Sequence, residues 1–212
     1  RVLLSAKLRP ILLRRLKRDV ASDLPERIEE QRDCELTPGQ RKLYLAELAK
    51  SRDLVERLEG EPDGLKKNRI VILAALTRLR QICCHPRLVG SDTASGKTET
   101  LMELLEPLLE EGQKVLVFSQ FVQMLKLMEA ECTTKGIPTH ILTGESKDRQ
   151  EIVQAFQNDA RPGVFLLSLR AAGTGLNLTT ASYVILYDPW WNPAVEAQAI
   201  DRSHRIGQTR TV

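Results

Sequence analysis

Two arginines near the end of the chain, Arg202 and Arg205, stand within the run Gln-Ala-Ile-Asp-Arg-Ser-His-Arg-Ile-Gly-Gln at residues 198–208. If the run is helical, at about 100° per residue Gln198, Arg202 and Arg205 fall at 0°, about 40° and about −20°, one polar stripe with both guanidiniums pointing the same way. Val195 and Ala199 lie one turn apart on another side, so an apolar edge can be buried while the arginines face outward. Such a pair is either a solvated helix face or a cationic contact, and spacing alone leaves both open. A second candidate is Ser-Leu-Arg-Ala-Ala-Gly-Thr-Gly-Leu-Asn-Leu at residues 168–178. It leaves a strand for a loop with two glycines, where exposed N–H groups together with Arg170 could hold a phosphate. Arg149 falls in the first turn of a helix just past a strand end. Residues 188–193, Asp-Pro-Trp-Trp-Asn-Pro, place both tryptophans of the chain on one loop. Each is either that loop's anchor against the domain or a stacked contact with a partner.

Hydrophobic periodicity gives the scaffold for these residues. From residue 97 onward helices alternate with short apolar runs, the signature of βαβ units around a parallel sheet. A helix is expected over 98–111 with Leu101, Leu104, Leu105 and Leu108 inward, then a buried strand at 115–118. Phe121, Met124, Leu125, Met128 and Cys132 share one helical stripe, a core series rather than a cofactor site. Strands at 139–142, 164–168 and 183–187 and a helix at 146–157 complete the pattern. In such sheets ligands sit beyond the carboxyl ends of the strands, which singles out 119–120, 143–144, 168–177 and 188–192.

Upstream, Thr37 followed by Pro38 marks a helix start, and Tyr44, Leu48 and Val55 recur at helical spacing up to Leu58. Residues 60–64, Gly-Glu-Pro-Asp-Gly, break that helix. A second helix is expected to carry Ile72, Leu76, Leu79 and Cys83 on one stripe and to end at Pro86. The two form a hairpin that packs on the α/β region downstream of it. Residues 1–35 look like a connecting arm with one short helix near 12–20. Arg1, Lys7, Arg9, Arg14, Arg15, Lys17 and Arg18 make its start basic without a single acid, either a solvated face or a phosphate-contacting arm.

Composition bounds the function class. The 212 residues are 42% hydrophobic and 28% charged, which suits one α/β domain plus an appendage. A net charge of +3 is too small to argue for nucleic acid by itself. Cys34, Cys83, Cys84 and Cys132 show no C-x-x-C spacing, and three successive residues, Cys83 to His85, project in different directions, so reduced thiols without a metal are expected. No run approaches the roughly 18 apolar residues of a membrane span and no signal peptide opens the chain, so a soluble, intracellular protein with no membrane contact is expected. Both ends read as cut from a longer polypeptide, and 209–212 as a strand just beginning.

Ser95-Gly96-Lys97-Thr98 imitates the end of a Walker A loop but fails on context. Gly90 is one residue too far upstream, and no buried strand precedes it. Ser95 reads instead as a helix N-cap with Glu99 near the helix start. With no other Walker A candidate and no Asp-Glu-x-His box, the chain is not expected to bind and activate Mg-ATP by itself.

Taken in order, these segments resemble the second RecA-like lobe of the SWI/SNF-type ATPases, superfamily two helicase-like motors that translocate on double-stranded DNA. The likeness covers nearly the whole chain. Leu13-Arg14-Arg15, Leu24-Pro25 and Leu36-Thr37 through Tyr44 look like the segment joining the first lobe to the second. Leu-Arg-Gln-Ile-Cys-Cys-His-Pro at 79–86 and Ser95-Gly96-Lys97 match the approach to the second lobe. Residues 117–121 are similar to motif IV, 168–178 to motif V, 188–193 to motif Va and 198–208 to motif VI. Ala172 stands where the family commonly has glycine, and the chain stops just after motif VI.

This resemblance implies an α/β fold: a RecA-like lobe with a parallel sheet flanked by helices, preceded by an arm and a helical hairpin. The implied boundaries are 1–35 for the arm from a missing first lobe, 36–94 for the hairpin insertion and 95–212 for the lobe. It implies that Arg202 and Arg205 are arginine fingers reaching the γ-phosphate of an ATP, with Mg2+, held mainly by that first lobe. Guanidinium is the required group, a permanently charged forked donor matching the equatorial oxygens of a loose transition state. Gly175 and Asn177 would line the ribose side of the nucleotide, and Gln198 would organise the motif VI helix. Ser119, Gln120, Arg149, Ser168, Arg170 and Ala171 would meet DNA phosphates. Trp191 and Asn192 would couple hydrolysis to DNA movement. The implied partners are duplex DNA, the first lobe and a protein–DNA complex as remodelling target. A non-catalytic scaffold lobe and an RNA helicase lobe fit the same phosphate contacts.

Overall fold

Thr37 accepts the Gln40 N–H at its hydroxyl (3.2 Å) and the Gln40 side chain accepts the Thr37 N–H (3.4 Å), a reciprocal capping box with Pro38 in the first turn. These contacts start the first helix of the computed structural model, which describes residues 24–172 and 175–212. The basic run at 1–18 and the short helix expected near 12–20 lie outside the described residues. α1 (Pro38–Glu59) leads through a turn to α2 (Gly64–Lys67) and α3 (Arg69–Cys84), with α1 packed along α3 as the expected hairpin. A 3-10 turn (Pro86–Val89) comes next.

The stripe of α3 differs from the expectation. Leu79, Ile82 and Cys84 are buried, whereas Leu76 is 41% exposed. Among the described residues α3 meets the α/β part of the protein at its C-terminal end; nearer the tip, Ile70, Val71 and Leu73 also face outward. The base of the hairpin is joined through one side chain. Gln40, fully buried, donates from Nε2 to the carbonyls of Ile82 (2.7 Å) and Cys83 (3.3 Å) and accepts the Gly96 N–H at Oε1 (3.3 Å).

Gly96 opens α4 (Gly96–Glu110), with Ser95 as N-cap accepting the Thr98 N–H (3.4 Å), so the Ser-Gly-Lys-Thr run is a helix start, as its context implied. A Cβ on Gly96 would lie 2.1 Å from the Glu35 carbonyl oxygen, a backbone atom that cannot swing aside. Gly96→Ala is therefore expected to destabilise the protein by about 1–3 kcal/mol through overpacking, read as a lower midpoint in chemical denaturation.

Four parallel strands build the sheet: β1 (Lys114–Ser119), β2 (Thr139–Leu142), β3 (Gly163–Ser168) and β4 (Tyr183–Leu186), in the order β2-β3-β1-β4. Ser119 and Ser168 pair across the end of the β1–β3 ladder. The helices are α5 (Val122–Thr134), α6 (Arg149–Asn158), α7 (Leu169–Ala172) and α8 (Pro193–Ile200). Alternate residues of β1 face opposite cores. Val115 and Val117 join Leu101, Leu105, Met124 and Met128 on the α4/α5 side, while Leu116 and Phe118 join Phe156, Leu178 and Ala199 on the α6/α8 side. A central strand buried on both faces is what a continuous apolar run without alternation encodes.

α6 starts later than the pattern suggests. Residues 143–148 are held in turns, with Ser146 Oγ accepting the Thr143 N–H (2.9 Å), Thr143 Oγ1 accepting the Glu145 N–H (3.2 Å) and Asp148 in the left-handed region (φ 51°). At the other end, 209–212 form no regular strand, yet Val212 donates to the Glu26 carbonyl (3.1 Å) and accepts from the Ile28 N–H (2.8 Å).

Candidate functional site

All strands end on one edge of the sheet, and the loops there carry the residues with chemistry. Beyond β1, the Ser119 hydroxyl is buried and accepts the Phe121 N–H (3.1 Å), a local turn that spends the side chain on its own backbone. The Gln120 N–H donates to Asp188 Oδ2 (3.0 Å). Burial pushes the Asp188 carboxyl above its ordinary pKa, against hydrogen bonds from Ser119 and Gln120 that favour its ionised form. Its other oxygen and the Gln120 Nε2 are buried without a hydrogen-bond partner among the described residues. Beyond β2, Arg149 heads α6 and donates to the carbonyls of Thr143 (3.4 Å) and Gly144 (3.2 Å), bracing that strand end.

Beyond β3, the Ser168 hydroxyl is buried and accepts the Ala171 N–H (3.2 Å), which turns the chain into α7. Ala171 is buried and Arg170 exposed. Gly175, in the left-handed region (φ 74°), offers its carbonyl to Arg205 Nη1 (3.5 Å). Asn177 is exposed, and its carbonyl accepts from the Gln157 side-chain amide. The Leu178 N–H donates to the Arg202 carbonyl (2.9 Å), so the glycine loop and the arginine run are joined backbone to backbone.

The arginines do not share a helix with Gln198. α8 ends at Ile200, after which the Arg202 N–H returns to the Ala199 carbonyl (3.1 Å) and the Ser203 N–H to the Ile200 carbonyl (3.1 Å), one residue short of the helical spacing. The polar stripe expected on one helix is instead split between the exposed Gln198 in the last turn of α8 and a non-helical turn carrying Arg202 and Arg205. Ser203 and Gln208 build that turn, roles the local pattern did not reveal. Both donate to the Ala181 carbonyl, Gln208 from Nε2 at 3.0 Å, and Gln208 Oε1 accepts the N–H groups of Thr209 and Arg210 (3.0 Å each). A glutamine directly after Gly207 (φ 101°) at a chain reversal is the one available hint.

Arg202 is only 8% exposed, and its Nε is buried with no hydrogen-bond partner among the described residues. Burial, then the nearby Arg205, lower its pKa, yet a guanidinium so perturbed stays charged. Val195 and Ala199 pack against the α6/α8 core, as the apolar edge of the pattern required.

The two tryptophans divide the roles that sequence left open. Trp190 packs its ring partly buried against the core, and its backbone N–H donates to the Glu196 carboxylate (2.6 Å). Trp191 is 64% exposed. Asn192 is exposed and caps α8, its Oδ1 accepting the Ala194 N–H (3.0 Å).

Comparison with known proteins matches this arrangement. Residues 96–207 fit the helicase conserved C-terminal domain, and residues 1–88 the SNF2-related domain. The human SWI/SNF-related matrix-associated actin-dependent regulator of chromatin subfamily A member 1 is 38% identical over 99% of this chain and 21% of its own length. A Sulfolobus solfataricus SWI2/SNF2 ATPase core solved in complex with dsDNA superposes with a TM-score of 0.74 at 38% identity, covering 100% of this chain and 45% of that one. A Sulfolobus solfataricus SWI2/SNF2 ATPase C-terminal domain gives 0.69 at 36% identity, covering 81% and 76%. The chain spans about a fifth of the length of the curated relatives it matches. A four-stranded parallel sheet between two helical layers, family matches along nearly all the chain and these superpositions lead to one conclusion: the chain belongs to the SWI/SNF-type ATPases of helicase superfamily two, as their second RecA-like lobe.

Proposed function

We propose that the chain works as the C-terminal motor lobe of an ATP-dependent translocase on double-stranded DNA. The observation that carries this reading is Arg202, a buried guanidinium whose Nε lacks an acceptor among the described residues. A buried donor left without an acceptor is costly, and a phosphate entering from outside the lobe relieves that cost. Its fork suits the equatorial oxygens of a phosphoryl group in transfer, and Arg205, beside the Gly175 carbonyl, is the second donor. These residues fit a nucleotide held mainly by a first lobe, with Gly175 and Asn177 on its ribose side and Gln198 at the end of α8 orienting the turn. ATP with Mg2+ supplies the phosphoryl group whose charge the two arginines stabilise. In this reading residues 1–35 connect to the first lobe, 36–94 are a helical insertion and 95–212 are the lobe itself.

For DNA, Arg149 and Arg170 offer side chains at the carboxyl edge, with Gln120 beside them at the end of β1. Ser119, Ser168 and Ala171, buried at their side chains, approach phosphate through the main chain. Contacts of this kind carry no base identity, as stepping along any sequence requires. The DNA-bound Sulfolobus solfataricus core supports duplex DNA as the partner, and the human relative, by name a regulator of chromatin, supports a protein–DNA complex as the target. Trp191 and Asn192 couple hydrolysis to movement. The motor acts inside the cell; among the described residues no helix is long and apolar enough to cross a membrane.

ATP hydrolysis by the full-length protein is expected to be stimulated by duplex DNA more than by single strands or RNA, measured as turnover at saturating nucleic acid. Preference for RNA would replace this reading with the RNA helicase one. The 212 residues alone are expected to hydrolyse no ATP, and turnover by them would sink the division of labour between lobes.

A further inference from the structure

The loop after β4 is gripped from two sides by alternate residues. Asp188 and Trp190 turn toward the sheet domain, the first to the Gln120 N–H (3.0 Å) and the second to the α6/α8 core and Glu196. Tyr187, Pro189 and Trp191 turn toward the base of the hairpin. The Tyr187 hydroxyl donates to the Cys84 carbonyl (2.9 Å), and Arg80, one helical turn earlier on α3, donates from its guanidinium to the Pro189 carbonyl. The same guanidinium lies over the Trp191 ring, 4.7 Å from its centroid. Trp191 is otherwise mostly solvent-facing, so packing alone does not fix the ring.

We propose that Arg80 is a positioning residue: it sets the pose of Trp191 and thereby links the helical hairpin to the loop that couples hydrolysis to DNA movement. The inference rests on the coupling role proposed for Trp191. Arg80 can hold both neighbours at once because its guanidinium is planar, with donors in the plane for Pro189 and a cationic face for the indole. A lysine ammonium, a point donor, can serve the carbonyl or the ring but does not span them. Releasing the clamp leaves the anchors in place, the buried Asp188 and the partly buried Trp190, so the loop keeps its path while Trp191 loses its orientation.

The test compares Arg80→Ala, Arg80→Lys, Trp191→Ala and the Arg80→Ala/Trp191→Ala double variant in the full-length protein, reading DNA-stimulated ATP turnover and duplex translocation separately. Arg80→Ala is expected to keep ATP turnover within about twofold and to lower translocation per ATP by on the order of tenfold. Arg80→Lys, which retains stem and charge and so guards against misfolding, is expected to be impaired in the same ratio. The double variant is expected to be no worse than Trp191→Ala, the signature of residues acting as one unit. If Trp191→Ala lowers the ratio but both Arg80 variants match wild type, or if the losses simply add, the inference is overturned and the reading of Trp191 stands. If Trp191→Ala leaves the ratio unchanged, the coupling role and the inference fall together.

Discussion

Replacing Arg202 by alanine in the full-length protein is expected to lower DNA-stimulated ATP turnover by about 10³–10⁵-fold, the range seen when a phosphoryl-transfer site loses its arginine finger. The substitution separates chemistry from fold unusually well. The main chain of Arg202 holds structure, its carbonyl accepting from Leu178 and its N–H returning to Ala199, and alanine preserves both. The side chain, by contrast, leaves a buried Nε without a partner among the described residues, so its removal takes away an unsatisfied buried donor. Thermal stability is therefore expected to stay level or rise while activity collapses. Arg202→Lys is expected to be almost as inactive, because an ammonium lacks the planar fork. Steady-state ATPase assays with duplex DNA check both variants. Unchanged turnover would leave the scaffold reading as the only one standing.

Trp191→Ala is expected to act on a different quantity. The ring is 64% exposed, so its loss falls among surface substitutions that usually change stability by less than about 0.5 kcal/mol. Translocation along duplex DNA is expected to drop by on the order of tenfold, equivalent to about 1.4 kcal/mol in the coupled step, with a much smaller fall in ATP turnover. A triplex-displacement assay, in which movement along the duplex ejects a third strand, run beside the ATPase assay separates the two. If both activities fall by the same factor, Trp191 is a structural residue and coupling lies elsewhere. Its neighbour is the natural contrast: Trp190, packed on the core and bonded to Glu196, belongs to the loop's foundation.

Local pattern is a good guide wherever local forces decide. The helix starts at Thr37 and Ser95, the apolar strands and the Met-rich stripe of α5 all derive from spacing and side-chain type, and the structure keeps them. The strand-end rule places the candidate residues on one edge without knowledge of any contact. What local pattern misses depends on distant partners. Nothing between 198 and 205 announces that α8 stops at Ile200; the stop is made by Ser203 and Gln208 reaching the Ala181 carbonyl, more than twenty residues away in sequence. Leu76 has helical spacing suited to a core and faces outward because the hairpin tip extends past the domain it would pack on. Arg80 falls in the segment at 79–86 that resembles the family, yet its role is invisible there, since its partners lie over a hundred residues downstream. The tryptophan pair can be read either way, and the structure divides it, one ring inward and one outward.

The buried Gln40 side chain has a mechanical consequence. It ties the first turn of α1, the end of α3 and the start of α4 at a single point sealed from water. Tilting the hairpin about that rivet would strip an amide of several partners at once with no solvent to replace them. The hairpin is thus a lever arm welded to its axle rather than hinged on it. A force applied to its outer tip would be delivered as torque at the start of α4, the helix that packs on β1.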